Sequence, residues 1–168
     1  KTYISADLIL EEDHKEAVPN EYLNAMNQSR NSNHQLSLKI GAPVMLLRNL
    51  QAGPKISLRN GTRMIVIQMM DRALEVEVAV GMNKGLRVFL PRVPQYDKSG
   101  DYPFTLVRRQ YPVRLAFCVT INKGQGQENE RVGLDLPAPV FSHGQLYTGM
   151  SRGKRGSMVK LRIADNDE

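Results

Sequence analysis

An apolar run that opens directly onto a glycine-rich polar turn is the feature that most constrains this chain. The run covers residues 115–119, and the turn, T-I-N-K-G-Q-G-Q, covers Thr120–Gln127. A second polar segment, Q-L-Y-T-G-M-S-R at Gln145–Arg152, follows and ends in an arginine. A strand that leads into a lysine-bearing glycine loop, with an arginine two elements later, is typical of a lobe that contacts phosphate groups.

The sequence contains no G-x-x-x-x-G-K-[ST] phosphate loop. The nearest approach, residues 149–155, has the wrong glycine spacing and an arginine where a hydroxyl must bind magnesium. The pattern therefore predicts the arginine-supplying half of a nucleotide-driven machine, without the half that binds the nucleotide.

Three further blocks accompany these two motifs in a fixed order. They are Leu38–Leu50, Asn60–Arg63 and Arg114–Phe117. Together with the motifs they resemble the C-terminal part of the PIF-type (petite integration frequency) DNA helicases, in particular the Helitron-like subgroup. The first motif resembles helicase motif V and the second resembles motif VI. Relatives usually carry Ser or Ala where this chain has Gly124, and Ala-Leu where it has Gly149 and Met150.

The resemblance implies a fold, an activity and partners. The fold is α/β, a partial RecA-like helicase lobe with an inserted small antiparallel β-barrel that is Src-homology-3-like. The lobe would cover 1–38 and 106–168, and the barrel 39–105. The activity is that of an ATP-dependent 5′-to-3′ DNA helicase with roles in DNA repair, recombination and telomere maintenance. ATP and Mg²⁺ would bind mainly to an N-terminal lobe, which is a partner together with single-stranded DNA. The family implies the nucleus, with the mitochondrion as the alternative.

Local patterns predict the elements that such a fold needs. A short helix is expected at 19–26, with Pro19 in its first turn. Short strands punctuated by Gly, Asn and Pro are expected at 43–47, 62–70, 73–80 and 86–90, and they favour a small barrel. The continuous apolar run 115–119 predicts a strand of a parallel sheet covered on both faces. Further strands are expected at 131–136 and 158–163, and a helix at 142–152 with Ser142 as its N-cap.

Arg152 is the candidate catalytic residue. Phosphoryl transfer concentrates negative charge on the γ-phosphate oxygens, and a fixed guanidinium stabilises that charge. The resemblance to motif VI assigns the same role, an arginine finger. The alternative is an arginine that only interacts with the dipole at its helix terminus.

The motif V-like loop supplies the candidate nucleotide and DNA contacts. Gly126 allows backbone amides to approach an anion closely. By resemblance, Gly126, Gln127 and Glu128 form the cofactor-binding end of the loop. The same resemblance places Thr120, Asn122 and Lys123 on the DNA backbone, which hydroxyl, amide and ammonium groups usually contact. The alternative for these residues is an ordinary strand-to-loop turn with an exposed lysine.

The net charge of +6 is concentrated in one stretch. Residues 1–28 have a net charge of −4, whereas residues 29–64 contain six cations and no acid. Such a stretch is a candidate polyanion surface, or else a solvated basic face without a partner. The cations proposed to contact single-stranded DNA are Lys39, Arg48, Lys55, Arg59 and Arg63, together with Arg108 and Arg109 farther along the chain. Since few aromatic residues accompany them, we expect backbone contacts without base readout.

Other features of the sequence limit the alternatives. The single cysteine, Cys118, cannot form an internal disulfide and is expected as a small apolar residue in a buried strand. The three histidines are far apart and have no Cys or acid at ligand spacing, so no metal site is predicted. No apolar run has the length of a membrane span, and no membrane partner is expected. The start at Lys1 favours a fragment.

Two further functions remain open at this stage. One is a stand-alone, non-catalytic single-stranded-DNA-binding remnant of a Helitron-type transposon gene. The other is a decayed copy without function.

Overall fold

A computed structural model of the chain describes residues 1–11, 18–26, 31–53, 56–97 and 102–164. Within these ranges the protein is mostly β. The chain divides into two compact units, Lys1–Phe117 and Cys118–Glu168. No helix among the described residues is long and apolar enough to cross a membrane.

The first unit is built from short strands and one described helix, α1, at Asn20–Ala25. The strands described in this unit are β1 Thr2–Ile4, β2 Ala6–Ile9, β3 Gln35–Ser37, β4 Pro43–Leu46, β5 Leu50–Gly53, β6 Ile56–Leu58, β7 Arg63–Met69, β8 Ala73–Val78, β9 Arg87–Pro91, β10 Val93–Tyr96, β11 Leu106–Gln110 and β12 Val113–Leu115. The helix begins directly after Pro19, whose extended backbone forms the N-cap. The predictions of this helix and of the strands near 43–47, 62–70, 73–80 and 86–90 are confirmed.

The strands of the first unit pair into antiparallel sheets. The largest has the order β12-β4-β7-β8-β9, and a second has the order β10-β11-β2. Strand β1 pairs with β3, and β5 pairs with β6. In β8 the alternation of apolar and charged residues places Leu74, Val76 and Val78 in the core, because successive side chains of a strand point to opposite faces.

The core of the first unit lies against the largest sheet. Its members include the fully buried Val44, Met64 and Val76. The rings of Tyr3 and Tyr111 meet edge to face with centroids 4.9 Å apart. A smaller apolar cluster buries α1 against β2 and β11, through Ile9, Leu23, Met26 and Leu106.

The second unit contains a parallel β–α–β arrangement. Strand β13 (Val132–Leu136) is followed by helix α2 (Gln145–Met150) and strand β14 (Val159–Ile163), and β13 and β14 pair in parallel. One 3₁₀ turn precedes β13, at Ile121–Gly124, and another lies between α2 and β14, at Gly156–Met158. The predictions of both strands and of the helix are confirmed.

Three details of the sequence-based prediction are wrong. The run 115–119 does not form a strand of a parallel sheet: β12 ends at Leu115, and it pairs antiparallel with β4 at the sheet's edge. Cys118 is exposed rather than buried, because it follows the end of that strand. Ser142 is not the N-cap of α2, since that position belongs to Gly144.

The Src-homology-3-like barrel remains a prediction. Among the described residues, β9 and β12 lie at opposite ends of the five-stranded sheet order and do not pair with each other. The predicted boundaries at 38/39 and 105/106 also remain predictions. Residues 106–117 belong to the first compact unit.

Candidate functional site

Helix α2 of the second unit carries the motif VI-like segment. Gly144 starts the helix with a left-handed backbone (φ 76°), a conformation that favours glycine. The hydroxyl of Thr148 donates a hydrogen bond to the carbonyl of Gly144 over 2.9 Å, which closes the first turn. Arg152 follows the helix directly, after Ser151 at the C-cap.

The absence of a side chain at Gly149 allows α2 to approach its neighbours closely. A Cβ atom at this position would lie 2.9 Å from Cδ2 of Leu134 in β13 and 3.5 Å from Cδ1 of Ile121. Ile121 begins the 3₁₀ turn of the motif V-like loop. The two motifs therefore pack into one unit, with Gly149 at their contact.

The guanidinium of Arg152 is held by three hydrogen bonds. Nε donates to the carbonyl of Thr148 over 2.9 Å, and Nη2 donates to the hydroxyl of Ser151 over 2.9 Å. Nη1 lies 3.4 Å from the carbonyl oxygen of Gln127, at the end of the motif V-like loop. An arginine has five N–H donors, so two of them have no partner among the described residues. The alternative role, a cation that only interacts with its own helix terminus, also predicts the contact between Arg152 and Thr148.

The backbone ties the same two segments together. The amide of Asn129 donates to the carbonyl of Arg152 over 2.9 Å, and the amide of Lys154 donates to the carbonyl of Asn129 over 3.3 Å. Asn129 and Gly153 form a parallel β-bridge. These contacts fix the position of Arg152 relative to the loop that precedes Asn129.

The motif V-like loop forms a compact turn with its polar side chains outside. The amides of Lys123 and Gly124 both donate to the carbonyl of Thr120. Thr120, Asn122 and Lys123 are exposed, and they lie within one turn of backbone.

The end of the same loop is left open at Gly126. This residue has a φ of 76° and open space beside its Cα atom. Gln127 is half-buried, and its side-chain amide donates to the carbonyl of Lys123 over 3.0 Å. Glu128 is exposed. Of the three predicted cofactor contacts, Gln127 therefore contacts Arg152 through its backbone carbonyl, and Gly126 and Glu128 flank it in sequence.

The basic residues predicted to form a DNA track fall into different environments. Lys39 and Arg59 are exposed, and their side chains make no hydrogen bond within the described ranges. Arg63 is half-buried and already interacts with another group of the protein, so it is not free in the way that Lys39 and Arg59 are. Lys55 lies outside the residues that the structure describes. Exposed Arg109 lies on β11, in register with Ala6 of β2.

Arg48 is engaged inside the first unit. Its Nη2 donates to Oδ1 of Asn31 over 2.9 Å and to the carbonyl of Tyr96 over 3.1 Å. Partial burial lowers the pKa of the Arg48 guanidinium below its ordinary value. This arginine connects two segments of the fold.

Arg108 does not belong to a DNA-contacting surface. Its side chain is 1% exposed and pairs with Asp7, which is 2% exposed. The remaining N–H groups donate to the backbone carbonyls of Leu23, Met26 and Ser32. The prediction that Arg108 contacts DNA is wrong in this structure, because the guanidinium is buried and already bonded.

Sequence reasoning missed the polar network around Arg108. Buried Gln95 accepts from the backbone amide of Ser32 over 2.9 Å, and Gln110 donates to the carbonyl of Tyr3 over 3.1 Å. These partners are separated by 63 and 107 residues, so no local pattern could have indicated them. Tyr147 of the motif VI-like segment is 76% exposed.

A family model and several known proteins match this chain. A family model of the 2B domain of DNA helicase Pif1 matches residues 21–69. The ATP-dependent DNA helicase PIF1 of Xenopus laevis is 34% identical over 143 residues, which are 80% of this chain and 20% of that protein. The chain therefore spans about a fifth of that relative's length.

Solved helicase structures share the fold. The Pif1 helicase from Candida albicans matches with a TM-score of 0.67 and 24% identity, over 96% of this chain and 39% of that one. The Pif1 helicase from Bacteroides, in complex with ADP-AlF3 and ssDNA, matches with a TM-score of 0.65 and 23% identity. That match covers 96% of this chain and 34% of the other.

The class that the family model and the relatives share is that of the DNA helicases. Within this class the relatives and the family model agree on one branch. The chain belongs to the PIF-type helicases and corresponds to a C-terminal part of them. Its place in the Helitron-like subgroup remains a prediction.

Proposed function

We propose that this chain is the part of an ATP-dependent 5′-to-3′ DNA helicase that supplies the arginine finger and part of the single-stranded DNA track. Arg152 is the finger, and Thr120, Asn122 and Lys123 contact the DNA backbone. Lys39, Arg59 and Arg109 are further DNA contacts within the first unit, where residues 39–105 form the Src-homology-3-like insert.

One observation carries this proposal. The guanidinium of Arg152 is held at Thr148 and Ser151 while Nη1 lies 3.4 Å from the carbonyl of Gln127. A finger must be fixed in place and still have donors for a phosphate, and both conditions hold here. A planar guanidinium also offers two parallel donors to phosphate oxygens, which an ammonium group does not.

The residues present fit one side of a nucleotide site. Open space beside Gly126 leaves room for an anion next to its backbone, and Arg152 is bonded to the adjacent Gln127. We assign Gly126, Gln127 and Glu128 to contacts with ATP. Since this sequence contains no phosphate loop, ATP and Mg²⁺ would be bound mainly by the N-terminal lobe. ATP supplies the phosphoryl group whose charge Arg152 would stabilise.

The proposed N-terminal lobe also explains the exposed apolar surface of the second unit. Tyr147 and Phe141 are 76% and 85% exposed, and Ile163 in β14 is 63% exposed. Parallel strands are normally covered on both faces, yet most of β14 is exposed. A further lobe of the same protein is the partner that this surface fits.

The test uses a full-length protein that contains the N-terminal lobe. Arg152→Ala should lower the DNA-stimulated ATPase rate by about 10³-fold and leave the affinity for single-stranded DNA nearly unchanged. Lys123→Ala should do the reverse, weakening DNA binding more than it slows hydrolysis at saturating DNA. Lys84→Ala is the control, because it removes an exposed cation in the turn before β9 that lies in neither motif.

Arg152→Lys separates the finger from the helix-terminal cation. If this variant retains full activity, planar recognition of a phosphate is not the role of Arg152. The arginine would then only stabilise its own helix terminus.

A further inference from the structure

An open cleft of about 560 Å³ lies within the first unit and is lined by three arginines. Its lining residues are Ala6, Asp71, Arg72, Pro91, Arg92 and Arg109. They come from the start of β2, the β7–β8 turn, the passage from β9 to β10, and β11. The cleft thus forms where the five-stranded and three-stranded sheets meet.

Arg92 is fixed in this cleft by its surroundings. It links β9 of one sheet to β10 of the other, and its Nη1 donates to the carbonyl of Ile4 over 2.8 Å. The guanidinium carbon lies 5.5 Å from the ring centroid of Tyr3 and 5.3 Å from that of Tyr111. Cation–π contacts with two aromatic rings help to hold the guanidinium in place.

The donors of Arg92 are not all used. Its Nε is buried and has no hydrogen-bond partner among the described residues. A buried donor without a partner is unfavourable, and few such groups persist in folded proteins. An acceptor that enters the cleft and reorients the guanidinium would satisfy the free donors of this side chain.

The charge of the cleft is positive because its single acid is already paired. Asp71 forms an ion pair with Lys1, and that hydrogen bond holds the pKa of the Asp71 carboxyl below its ordinary value. Arg72 and Arg109 are exposed, and neither side chain makes a hydrogen bond or ion pair within the described ranges. Three guanidinium groups therefore share one opening with a single lining carboxylate, Asp71, which is paired with Lys1.

We propose that this cleft is a binding site for a phosphate group, contacted by Arg72, Arg92 and Arg109. Guanidinium groups bind phosphate oxygens through paired, charge-assisted hydrogen bonds, and Arg92 retains donors for such a contact. The phosphate belongs either to a nucleic-acid backbone or to a free phosphate or nucleotide. The site uses residues of the first unit alone. It shares Arg109 with the DNA contacts proposed above, but it does not depend on the role proposed for Arg152 or Lys123.

The experiment follows the side-chain Nε–H signals of arginine by NMR while inorganic phosphate is added to the full chain. The signals of Arg92 and Arg109 should shift and saturate. In the Arg72→Gln/Arg109→Gln variant the affinity for phosphate should fall by about tenfold or more, because two charge-assisted hydrogen-bond donors have been removed. Both replaced side chains are exposed, and an unchanged thermal midpoint verifies the fold.

Lys84→Gln is the matched control for charge. Lys84 is an exposed cation in the turn before β9, outside the cleft. Phosphate should shift the arginine signals of this variant as it does in the unmodified chain. If Lys84→Gln weakens phosphate binding as much as the cleft variant does, net charge alone attracts the anion and the proposal is wrong.

An oligo-dT strand distinguishes the two sources of phosphate. If the strand shifts the Arg92 and Arg109 signals and displaces inorganic phosphate, the source is a nucleic-acid backbone. The cleft variant should then show a smaller salt dependence of DNA binding, by about 0.7 in log–log slope for each phosphate that is no longer neutralised. If oligo-dT leaves the Arg92 and Arg109 signals unchanged while inorganic phosphate still shifts them, the site binds free phosphate.

Failure of this proposal is distinct from failure of the helicase proposal. Cleft signals that respond to neither phosphate nor oligo-dT overturn the phosphate site, whatever Lys123→Ala does to DNA binding. Conversely, phosphate binding in the cleft stands even if Lys123→Ala has no effect on DNA.

Discussion

The guanidinium of Arg108 and the carboxylate of Asp7 form a bidentate ion pair in the interior of the first unit. Nε lies 3.0 Å from Oδ1, and Nη2 lies 2.7 Å from Oδ2. The side chains are 1% and 2% exposed. The same arginine donates to the carbonyls of Leu23 and Met26 at the end of α1. One residue thus joins β2, β11 and α1.

Breaking this pair should destabilise the first unit strongly. Arg108→Met leaves the buried Asp7 carboxylate without its arginine, with Ser5 and His34 as its remaining contacts. Such a change is unfavourable by about 3–5 kcal/mol. The double variant Asp7→Leu/Arg108→Met should be less destabilised than Arg108→Met alone, because no unpaired charge remains. Urea denaturation followed by circular dichroism gives the free energy of unfolding.

An exposed ion pair of the same composition serves as the control. Arg162 pairs with Asp135, but these side chains are 78% and 58% exposed. Arg162→Met should leave the unfolding midpoint almost unchanged, because water screens the pair. Equal destabilisation by Arg108→Met and Arg162→Met would contradict the structural role of Arg108.

The basic residues of 39–63 should separate into a structural and a DNA-binding class. Arg48→Ala should lower the free energy of unfolding by about 1–3 kcal/mol, since Asn31 and Tyr96 lose a hydrogen-bond donor. The double variant Lys39→Ala/Arg59→Ala should leave the free energy of unfolding unchanged. It should reduce the log–log slope of DNA affinity against salt concentration by about 0.7 for each DNA phosphate that is no longer neutralised. Fluorescence anisotropy with labelled oligo-dT, repeated at several salt concentrations, measures that slope.

The isolated 168-residue chain should hydrolyse no ATP above background, with or without single-stranded DNA. The sequence has no phosphate loop to position the β- and γ-phosphates, and an arginine finger alone cannot replace that positioning. A phosphate-release assay measures the rate, and Arg152→Ala of the same chain serves as the matched control. DNA-stimulated turnover that disappears in Arg152→Ala would show that this part is catalytic by itself.

Local patterns predict much of the fold because the information is local. The alternation in β8 and the apolar residues of β4 and β7 indicate strands whatever their partners. The prediction for 115–119 is wrong because an apolar sequence does not specify the direction of pairing. Val113–Leu115 forms antiparallel pairs with β4, and the chain then turns away.

The sequence predicts the candidate site residues of the second unit better than those of the first unit. Arg152 and the motif V-like loop lie close in sequence and in space, so a motif can indicate both. The role of Arg108 cannot be predicted in this way, because its partner Asp7 lies 101 residues away. Arg72 and Arg92 escape prediction because the cleft that they share gathers separate segments between residues 6 and 109.

Gly153 should be required for the packing of the second unit. It bridges to Asn129, and a Cβ atom at this position would lie 2.5 Å from Cγ2 of Val159. Valine is stiff at χ1, so β14 cannot adapt easily. Gly153→Ala should therefore destabilise the unit by about 1–3 kcal/mol. Hydrogen exchange of the β13 and β14 amides measures this locally, without interference from the first unit.

The penalty at Gly153 should disappear when its neighbour is shortened. In a Val159→Ala background, Gly153→Ala should have little effect, because the clashing methyl group is gone and the two changes couple. Gly156→Ala is the matched control, since a Cβ atom there meets open space. If Gly153→Ala is equally unfavourable in both backgrounds, contact with Val159 is not the reason for the glycine. Arg152 precedes Gly153, and its carbonyl accepts the amide of Asn129. The same substitution should therefore also loosen the connection between the arginine and the motif V-like loop.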